Sequence, residues 1–340
     1  MSVTVKDVAR EAGVSRTTVS NVYNGRAKFS EETRQAVMNA ARRLGYKPNL
    51  AAKSLITNQS NLIGLILPSY VDRFTLTTSP FYNIILDGIY SILQNETYYD
   101  LIIHSVTLRG GIPQVSDWID TRNVDGILAI GEYDTRFMQE LSERAIPVVC
   151  IDNYQKSYPN FSYINSDDEA GGYLAGRKLI ERGFRKIAIC SVSPLNTSPL
   201  IRKRFEGFQR AMGEAGHPIY TLEGSGGNPF DAGRQAGVRL CAGKFDAAFC
   251  TEDMLAIGVM NHLLRQKVSV GKHAGQDFGL VGFDNLNIGR QMHPELTSIE
   301  QKIVEKGEIA TKTLLNILRE TTPLGTRLIL PVEIVERETA

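Results

Sequence analysis

The first sixty positions fall into three short amphipathic segments. Thr4 and Asp7 form a capping-box-like start, after which Val5, Val8, Ala9 and Ala12 recur on one helical face. Gly13 supplies the freedom for a tight turn. A second helix is expected from about Ser15, a good N-cap, with Val19 and Val22 facing inward. Opposite the valines lie Arg16, Thr17, Thr18, Ser20 and Asn21, short polar side chains plus one guanidinium that a major groove can admit. A third helix starts at Ser30, with Glu31 and Glu32 in its first turn and Val37, Ala40 and Leu44 inward. The pattern predicts a helix-turn-helix head. After Pro48, residues 49–55 can form only a short helix, one that needs a partner or DNA to be stable. An exposed Leu55 at its end suits insertion into a minor-groove step; as an ordinary linker residue it would pack on the next domain instead.

Beyond residue 60 the pattern changes to alternating strand-like and helix-like segments. Buried strands are expected at 62–67, 101–106, 125–130 and 147–151, with helices near 83–94, 113–121 and 135–145. A second series has strands at 186–190, 219–222, 245–250 and 278–282, and helices near 168–182, 200–215, 230–242 and 254–266. Two βα series of similar length predict an α/β architecture of two doubly wound lobes. A ligand cleft would lie beyond the carboxyl ends of the strands. The segments after about 293 are expected to return toward the first lobe. The domain organisation is therefore a helix-turn-helix head at 1–47, a hinge helix and linker at 48–60, and a two-lobed domain at 61–340.

Charge sharpens this division. The net charge of +1 conceals a head (1–60) with ten Lys/Arg against four acids, and a remainder with 28 basic against 33 acidic residues. A basic head on a mildly acidic body points to a polyanion-binding module attached to something that does not share the polyanion. The first ten residues lack the apolar core of a secretory signal, and no apolar run approaches the roughly 20 residues that span a bilayer. A cytoplasmic protein without membrane contact is expected. Cys150, Cys190, Cys241 and Cys250 are scattered without metal-ligand spacing and read as reduced thiols.

No phosphate loop, nucleophile elbow or metal-binding motif is present, and Gly224-Ser225-Gly226-Gly227 lacks the lysine of a phosphate loop. His104, His217, His262, His273 and His293 have no evident partners at motif spacing. No cofactor, no metal, no catalytic residue and no enzyme activity are expected.

The segments Thr4-Val5-Lys6-Asp7-Val8-Ala9-Arg10-Glu11-Ala12-Gly13-Val14-Ser15 and Thr18-Val19-Ser20-Asn21-Val22-Tyr23-Asn24-Gly25 resemble the LacI/GalR family of repressors. So do Ser30-Glu31-Glu32-Thr33-Arg34, Leu44-Gly45-Tyr46-Lys47-Pro48-Asn49 and Ala52-Lys53-Ser54-Leu55. The resemblance implies base-edge contacts from Arg16, Thr17 and Asn21. It implies backbone-phosphate contacts at Ser15, Thr18, Asn24, Lys28, Ser30, Thr33 and Tyr46, and a minor-groove wedge at Leu55. Thr4, Ala52 and Lys53 are counted with the same DNA-binding set. Many family members carry Arg where this chain has Asn21; Asn favours adenine where Arg favours guanine.

The resemblance continues more loosely to about residue 318, through Val124-Asp125-Gly126-Ile127-Leu128, residues 171–183, Arg204-Phe205-Glu206-Gly207-Phe208 and Val281-Gly282-Phe283-Asp284-Asn285. It implies an α/β two-lobed sensor domain resembling periplasmic sugar-binding proteins of type I. Asp152, Arg204 and Asp284 match the family's ligand-binding positions; each could equally be a cap or ion-pair member. Phe81 and Tyr82 match an aromatic-bearing segment that could stack on a sugar or pack in the core. Tyr70 opens a long Thr-rich loop at the mouth of the first lobe. Two departures are Glu252, before Asp253, where members often have Asn, and Asn228, where a cleft aromatic is usual.

The expected function is a transcriptional regulator, a repressor of sugar-utilisation genes. It would act as a homodimer on double-stranded operator DNA under control of a small-molecule effector, a sugar. Alternatives are a purine corepressor or control by a phosphoprotein. A sugar-binding transport protein would need export and has no basic head. No heptad-rich segment near residue 340 predicts a coiled-coil tetramer.

Overall fold

Local bonds at three helix ends define the head. Helix α1 (Val5–Ala12) opens where the Asp7 carboxylate accepts from the Thr4 backbone N–H at 3.0 Å and the Thr4 hydroxyl at 2.7 Å. Gly13 turns the chain at φ 66°, and the Val14 N–H returns to the Ala9 carbonyl at 3.0 Å. Helix α2 (Arg16–Asn24) starts over Ser15, whose Oγ accepts from the Thr18 N–H at 3.0 Å. Ser30 Oγ caps α3 (Glu31–Leu44) by accepting from the Thr33 N–H at 3.3 Å. Val8, Ala9, Val19, Val37, Ala40 and Ala41 make the buried centre, with Val5, Ala12, Val22 and Leu44 packed against it. This is the helix-turn-helix build read from the sequence.

The structure is a computed structural model and describes residues 3–24, 29–46, 60–69, 79–96, 99–107, 117–119, 121, 123–275 and 277–340. The chain divides into two units, Met1–Ser60 and Asn61–Ala340. The hinge helix expected within 48–60, with Ala52, Lys53 and Leu55, lies outside the described residues. So do Lys28, Tyr70 and most of the helix expected at 113–121, and the side chain of Asn24.

The larger unit holds two six-stranded sheets. Strands β1 (Leu62–Ser69), β2 (Asp100–Thr107), β3 (Gly126–Ile130), β4 (Val148–Ile151), β5 (Phe161–Ser166) and β11 (Arg327–Leu330) form the first, all parallel, in the order β2-β1-β3-β4-β5-β11. The second contains β6 (Ile187–Ser191), β7 (Tyr220–Glu223), β8 (Ala247–Cys250), β9 (Gly279–Phe283), β10 (Thr297–Glu300) and β12 (Glu333–Val335). Its order is β7-β6-β8-β9-β10-β12, with β12 antiparallel to β10. Runs such as Gly126–Ile130 and Ala247–Cys250 are buried at every position because helices cover both faces of a parallel sheet.

Helices α4 (Pro80–Leu93) and α11 (Ile303–Leu318) cover one face of the first sheet and α5 (Thr135–Ser142) the other. On the second sheet, α6 (Asp168–Glu181) and α7 (Pro199–Glu214) pack on one face. Helices α8 (Pro229–Ala242) and α9 (Asp253–Arg265) pack on the other, and the short α10 (Asn287–Gln291) follows β9.

Two expectations need correction. The segments after 293 do not all return to the first lobe: α11 and β11 do, whereas β10, β12 and the buried Ala340 stay with the second. Strand β5 was not expected, because Ser162, Asn165 and Ser166 interrupt its apolar pattern. All three are buried, since β5 sits inside the sheet between β4 and β11. Asn165 is satisfied there by reciprocal bonds with the Asn153 backbone, at 3.0 Å each way. The chain thus passes between lobes three times, from β5 to α6, from β10 to α11 and from β11 to β12.

Candidate nucleic-acid interface and interlobe site

In the head, α2 presents Arg16 and Thr17 exposed and Thr18 and Asn21 half-buried. Arg16, Thr17 and Asn21 have no side-chain partner among the described residues, so their donors and acceptors are available to an incoming surface. Ser15 and Thr18 share a hydroxyl contact at 2.9 Å, and Ser30 and Thr33 another at 3.0 Å. Tyr46 is drawn into the helical core, its ring edge-on to Tyr23 with centroids 5.9 Å apart. Thr4 is engaged by Asp7 at the start of α1.

In the larger unit, the carboxyl ends of strands from both sheets carry a band of buried and half-buried polar groups. Asp152 follows β4, Thr251 and Glu252 follow β8, Asp284 follows β9 and Gln301 follows β10. Asp152 adopts φ 54° and Asp284 φ 116°, in the left-handed region that non-glycine residues avoid unless their surroundings hold them.

Those surroundings are bonded in detail. Lys306, on α11 and fully buried, donates to both Asp152 oxygens at 2.7 and 2.9 Å and to Gln301 Oε1 at 2.6 Å. Gln301 Nε2 in turn donates to Asp284, and Ser166 Oγ reaches Gln301 Oε1 at 3.4 Å. Arg204, on α7, donates through Nε to Asp168 at 2.7 Å and through Nη1 to the Thr251 carbonyl, and its guanidinium lies 3.5 Å from the Phe283 ring centroid. Further bonds cross between lobes. The Tyr154 hydroxyl donates to Asp168 at 2.7 Å, and Glu132, after β3, accepts from the Leu200 N–H at 3.0 Å.

The electrostatics follow from this burial. Burial pushes the Asp152 carboxyl up, against the pull of Lys306. Asp284 is pushed up to about 7, chiefly by burial, with Arg204 opposing. Glu252 also rises to about 7, by burial first and then by the nearby Asp284. For Arg204, burial opposes the charge, but Asp168 and then Asp284 outweigh it and hold the pKa above its ordinary value. Asp253, by contrast, is fixed by Ser298 Oγ at 2.6 Å and the Leu286 N–H at 2.7 Å, a structural role.

The sequence-derived positions divide accordingly. Asp152, Arg204, Glu252 and Asp284 fall in this band. Phe81 and Tyr82 open α4, edge-on to each other, with the Lys306 ammonium 5.9 Å from the Phe81 ring. Asn228 is exposed and caps α8, its Oδ1 accepting from the Phe230 and Asp231 N–H groups at 3.0 and 3.3 Å. Pro229 at N1 and the free N–H groups behind it give that side chain a local task. Lys306, Gln301, Asp168, Tyr154 and Glu132 were not anticipated. A lysine inside the Ile303–Leu318 amphipathic pattern reads as an exposed charge until its partner on another strand is known.

A family model described as "Bacterial regulatory proteins, lacI family" matches residues 4–49, and one described as "Periplasmic binding protein-like domain" matches residues 176–340. The HTH-type transcriptional repressor PurR of Vibrio cholerae serotype O1 is 30% identical, covering 99% of this chain and 97% of its own. The ribose operon repressor of Haemophilus influenzae is also 30% identical, covering 98% of each. Among solved structures, the lac repressor dimer bound to operator and the anti-inducer ONPF superposes with a TM-score of 0.82 at 25% identity, covering 100% of this chain and 99% of that one. Full-length similarity at this level, joined to a helix-turn-helix head and a two-sheet α/β unit, establishes that the chain belongs to the lacI family of bacterial regulatory proteins.

Proposed function

We propose that this DNA-binding transcriptional regulator represses its target genes from the cytoplasm as a homodimer, with operator affinity set by a sugar-class effector between the two lobes. The proposed organisation is a DNA-binding head at 1–47, a hinge at 48–60 and a sensor at 61–340. The reading is supported above all by one observation: hydrogen-bonded polar groups from both lobes meet at the carboxyl ends of their strands, where open α/β sheets take ligands. Asp152, Arg204, Glu252 and Asp284 would contact the effector, with Phe81 and Tyr82 beside it. Arg16, Thr17 and Asn21 would read base edges, and Ser15, Thr18, Ser30 and Thr33 would contact phosphates. No helix among the described residues is long and apolar enough to cross a membrane.

The test is operator binding by fluorescence anisotropy, with and without a panel of sugars and purines. An effector should change operator affinity by a coupling of about 1–3 kcal/mol, and operator must change effector affinity by the same factor. Asp284→Ala should abolish that response while operator binding itself persists. Equal effector affinities with and without operator would overturn the coupling.

Base readout is tested separately. Asn21→Arg should move the preference at one symmetric pair of operator positions from adenine toward guanine, with about 1–3 kcal/mol of discrimination. Selection from a randomised duplex pool measures it. An unchanged preference would place Asn21 on backbone or water instead.

A further inference from the structure

The two lobes meet through contacts of two kinds. One is apolar. Leu286, which follows β9 of the second lobe, is buried in the same cluster as Ile85, Ile164 and Ile303 of the first, and Met254 on α9 packs against the cores of both. An apolar contact has no preferred direction, so it can persist while one lobe turns on the other. The second kind is polar and directional, and it involves α6 and α7. Such bonds hold only at one relative placement of the lobes.

The start of α7 shows what these bonds do. Pro199 at the first helical position has no N–H, but the next two donors of the turn need acceptors. Ser198 Oγ takes the Ile201 N–H at 3.3 Å, an ordinary local cap. The Leu200 N–H is taken at 3.0 Å by Glu132, 68 residues earlier and on the other lobe. Burial raises the Glu132 carboxyl, and the bonds from the Ser198 hydroxyl and the Leu200 N–H pull it back down. A carboxylate of the first lobe thus completes the cap of a second-lobe helix and faces its positive end.

Arg204 lies one turn beyond Leu200 on the same helix, buried, with its Nε donating to Asp168 at 2.7 Å. Asp168 in turn accepts from the Tyr154 hydroxyl of the first lobe at 2.7 Å. The two crossings therefore converge on Arg204. One sets the helix that carries it, and the other sets the carboxylate that orients it.

We propose that Glu132 is a positioning residue: its cap on α7 fastens the second lobe to the first and, in the same step, sets Arg204 against Asp168 for the effector. The role given to Arg204 rests on the effector reading above. The fastening does not, because every group in it belongs to the chain. Turning the lobes apart on their apolar contact withdraws the carboxylate from the helix start and leaves the Leu200 N–H to water. The fastener therefore weights the closed arrangement by the worth of one helix cap, a factor of roughly 2 to 30. An effector that needs Arg204 in place binds that arrangement, so Glu132 raises its apparent affinity without touching it.

The experiment is amide hydrogen exchange on the full chain, with no small molecule added, for the unchanged protein, Glu132→Ala and Glu132→Gln. Glu132→Ala removes the acceptor and the charge. It should speed exchange roughly 2- to 30-fold at residues 199–204 and also around the other crossing, at 153–155 and 168–171. Glu132→Gln keeps an oxygen that can accept the Leu200 N–H but loses the charge, so it should recover part of the protection. A cap that serves only its own helix would speed exchange at 199–204 alone. That outcome, or unchanged exchange in Glu132→Ala, overturns the fastener and leaves the effector reading standing. Conversely, if no sugar or purine alters operator binding, the effector reading fails while exchange still decides whether Glu132 joins the lobes.

Discussion

Lys306→Met is expected to destabilise the larger unit by about 3–5 kcal/mol at neutral pH, the range for removing one partner of a buried ion pair. Methionine fills much of the space of the lysine stem, so the change is mainly the loss of three bonds from one ammonium, two to Asp152 and one to Gln301. Asp152 would remain buried, held in its left-handed conformation with no counter-charge. The loss should depend on pH. Burial already raises the Asp152 carboxyl, and Lys306 is the largest opposing influence. Without it, the folded-state pKa climbs further above the unfolded value. The folded state then binds the Asp152 proton more tightly than the unfolded state does. The penalty is therefore absent below the unfolded pKa of about 3.9, grows as pH rises toward the folded pKa, and is complete above it. Urea denaturation at about pH 4 and about pH 8 should show a mild and a severe loss respectively. Adding Asp152→Asn should recover much of the stability at the higher pH, because the unpaired charge goes with it. An equal loss at both pH values would assign the effect to packing.

Gly207→Val should be nearly as damaging, at about 3 kcal/mol or more, and should also weaken any effector response. Helices α6 and α7 touch backbone to backbone. A Cβ at Gly207 would lie 1.8 Å from the Glu169 carbonyl oxygen, and one at Gly172 would lie 1.9 Å from the Arg204 carbonyl oxygen. Neither obstacle is the end of a flexible side chain, so relief requires the helices to separate. Asp168 sits at the start of α6 and Arg204 within one turn of Gly207, so separation stretches the 2.7 Å bond between them. Gly213→Ala on the same helix is the control. Nothing lies within 4 Å of its Cβ position, so it should be neutral or stabilising by up to about 1 kcal/mol. Thermal or denaturant melts of the three proteins decide the matter. A Gly207→Val protein as stable as the control would show that the two helices adjust freely.

Much of the fold was legible because local rules sufficed. In the head, a capping residue and an apolar stripe recur for each of the first three helices, α1 and α3 end at a glycine, and the observed bonds at Thr4, Ser15 and Ser30 are those the residue types predict. In the larger unit, buried parallel strands need continuous apolar runs, so β1, β3, β4 and β8 could be placed to within a residue or two. Strand β5 escaped because polar residues interrupt its apolar pattern, and Asn165 is satisfied by a tertiary partner that no local pattern announces.

The site divides along the same line. Asp152 and Asp284 were identifiable because they directly follow apolar strands, and strand ends are where open sheets present side chains to ligands, whereas Glu252 stood out only as a departure from the family pattern. What the sequence by itself determined is the α/β class, the helix-turn-helix head and the strand-end acids, each a property of residues near one another in the chain. Only the tertiary structure decided which charges are paired. Lys306 lies 154 residues from Asp152, and Gln301 reaches Asp284 from the end of the neighbouring strand. It also decided that Asn228 is a cap, and that the Glu252 side chain makes no cap hydrogen bond. The physical reason is that the state of a buried charge depends on distances of a few ångströms between segments remote in sequence, which folding sets and composition does not.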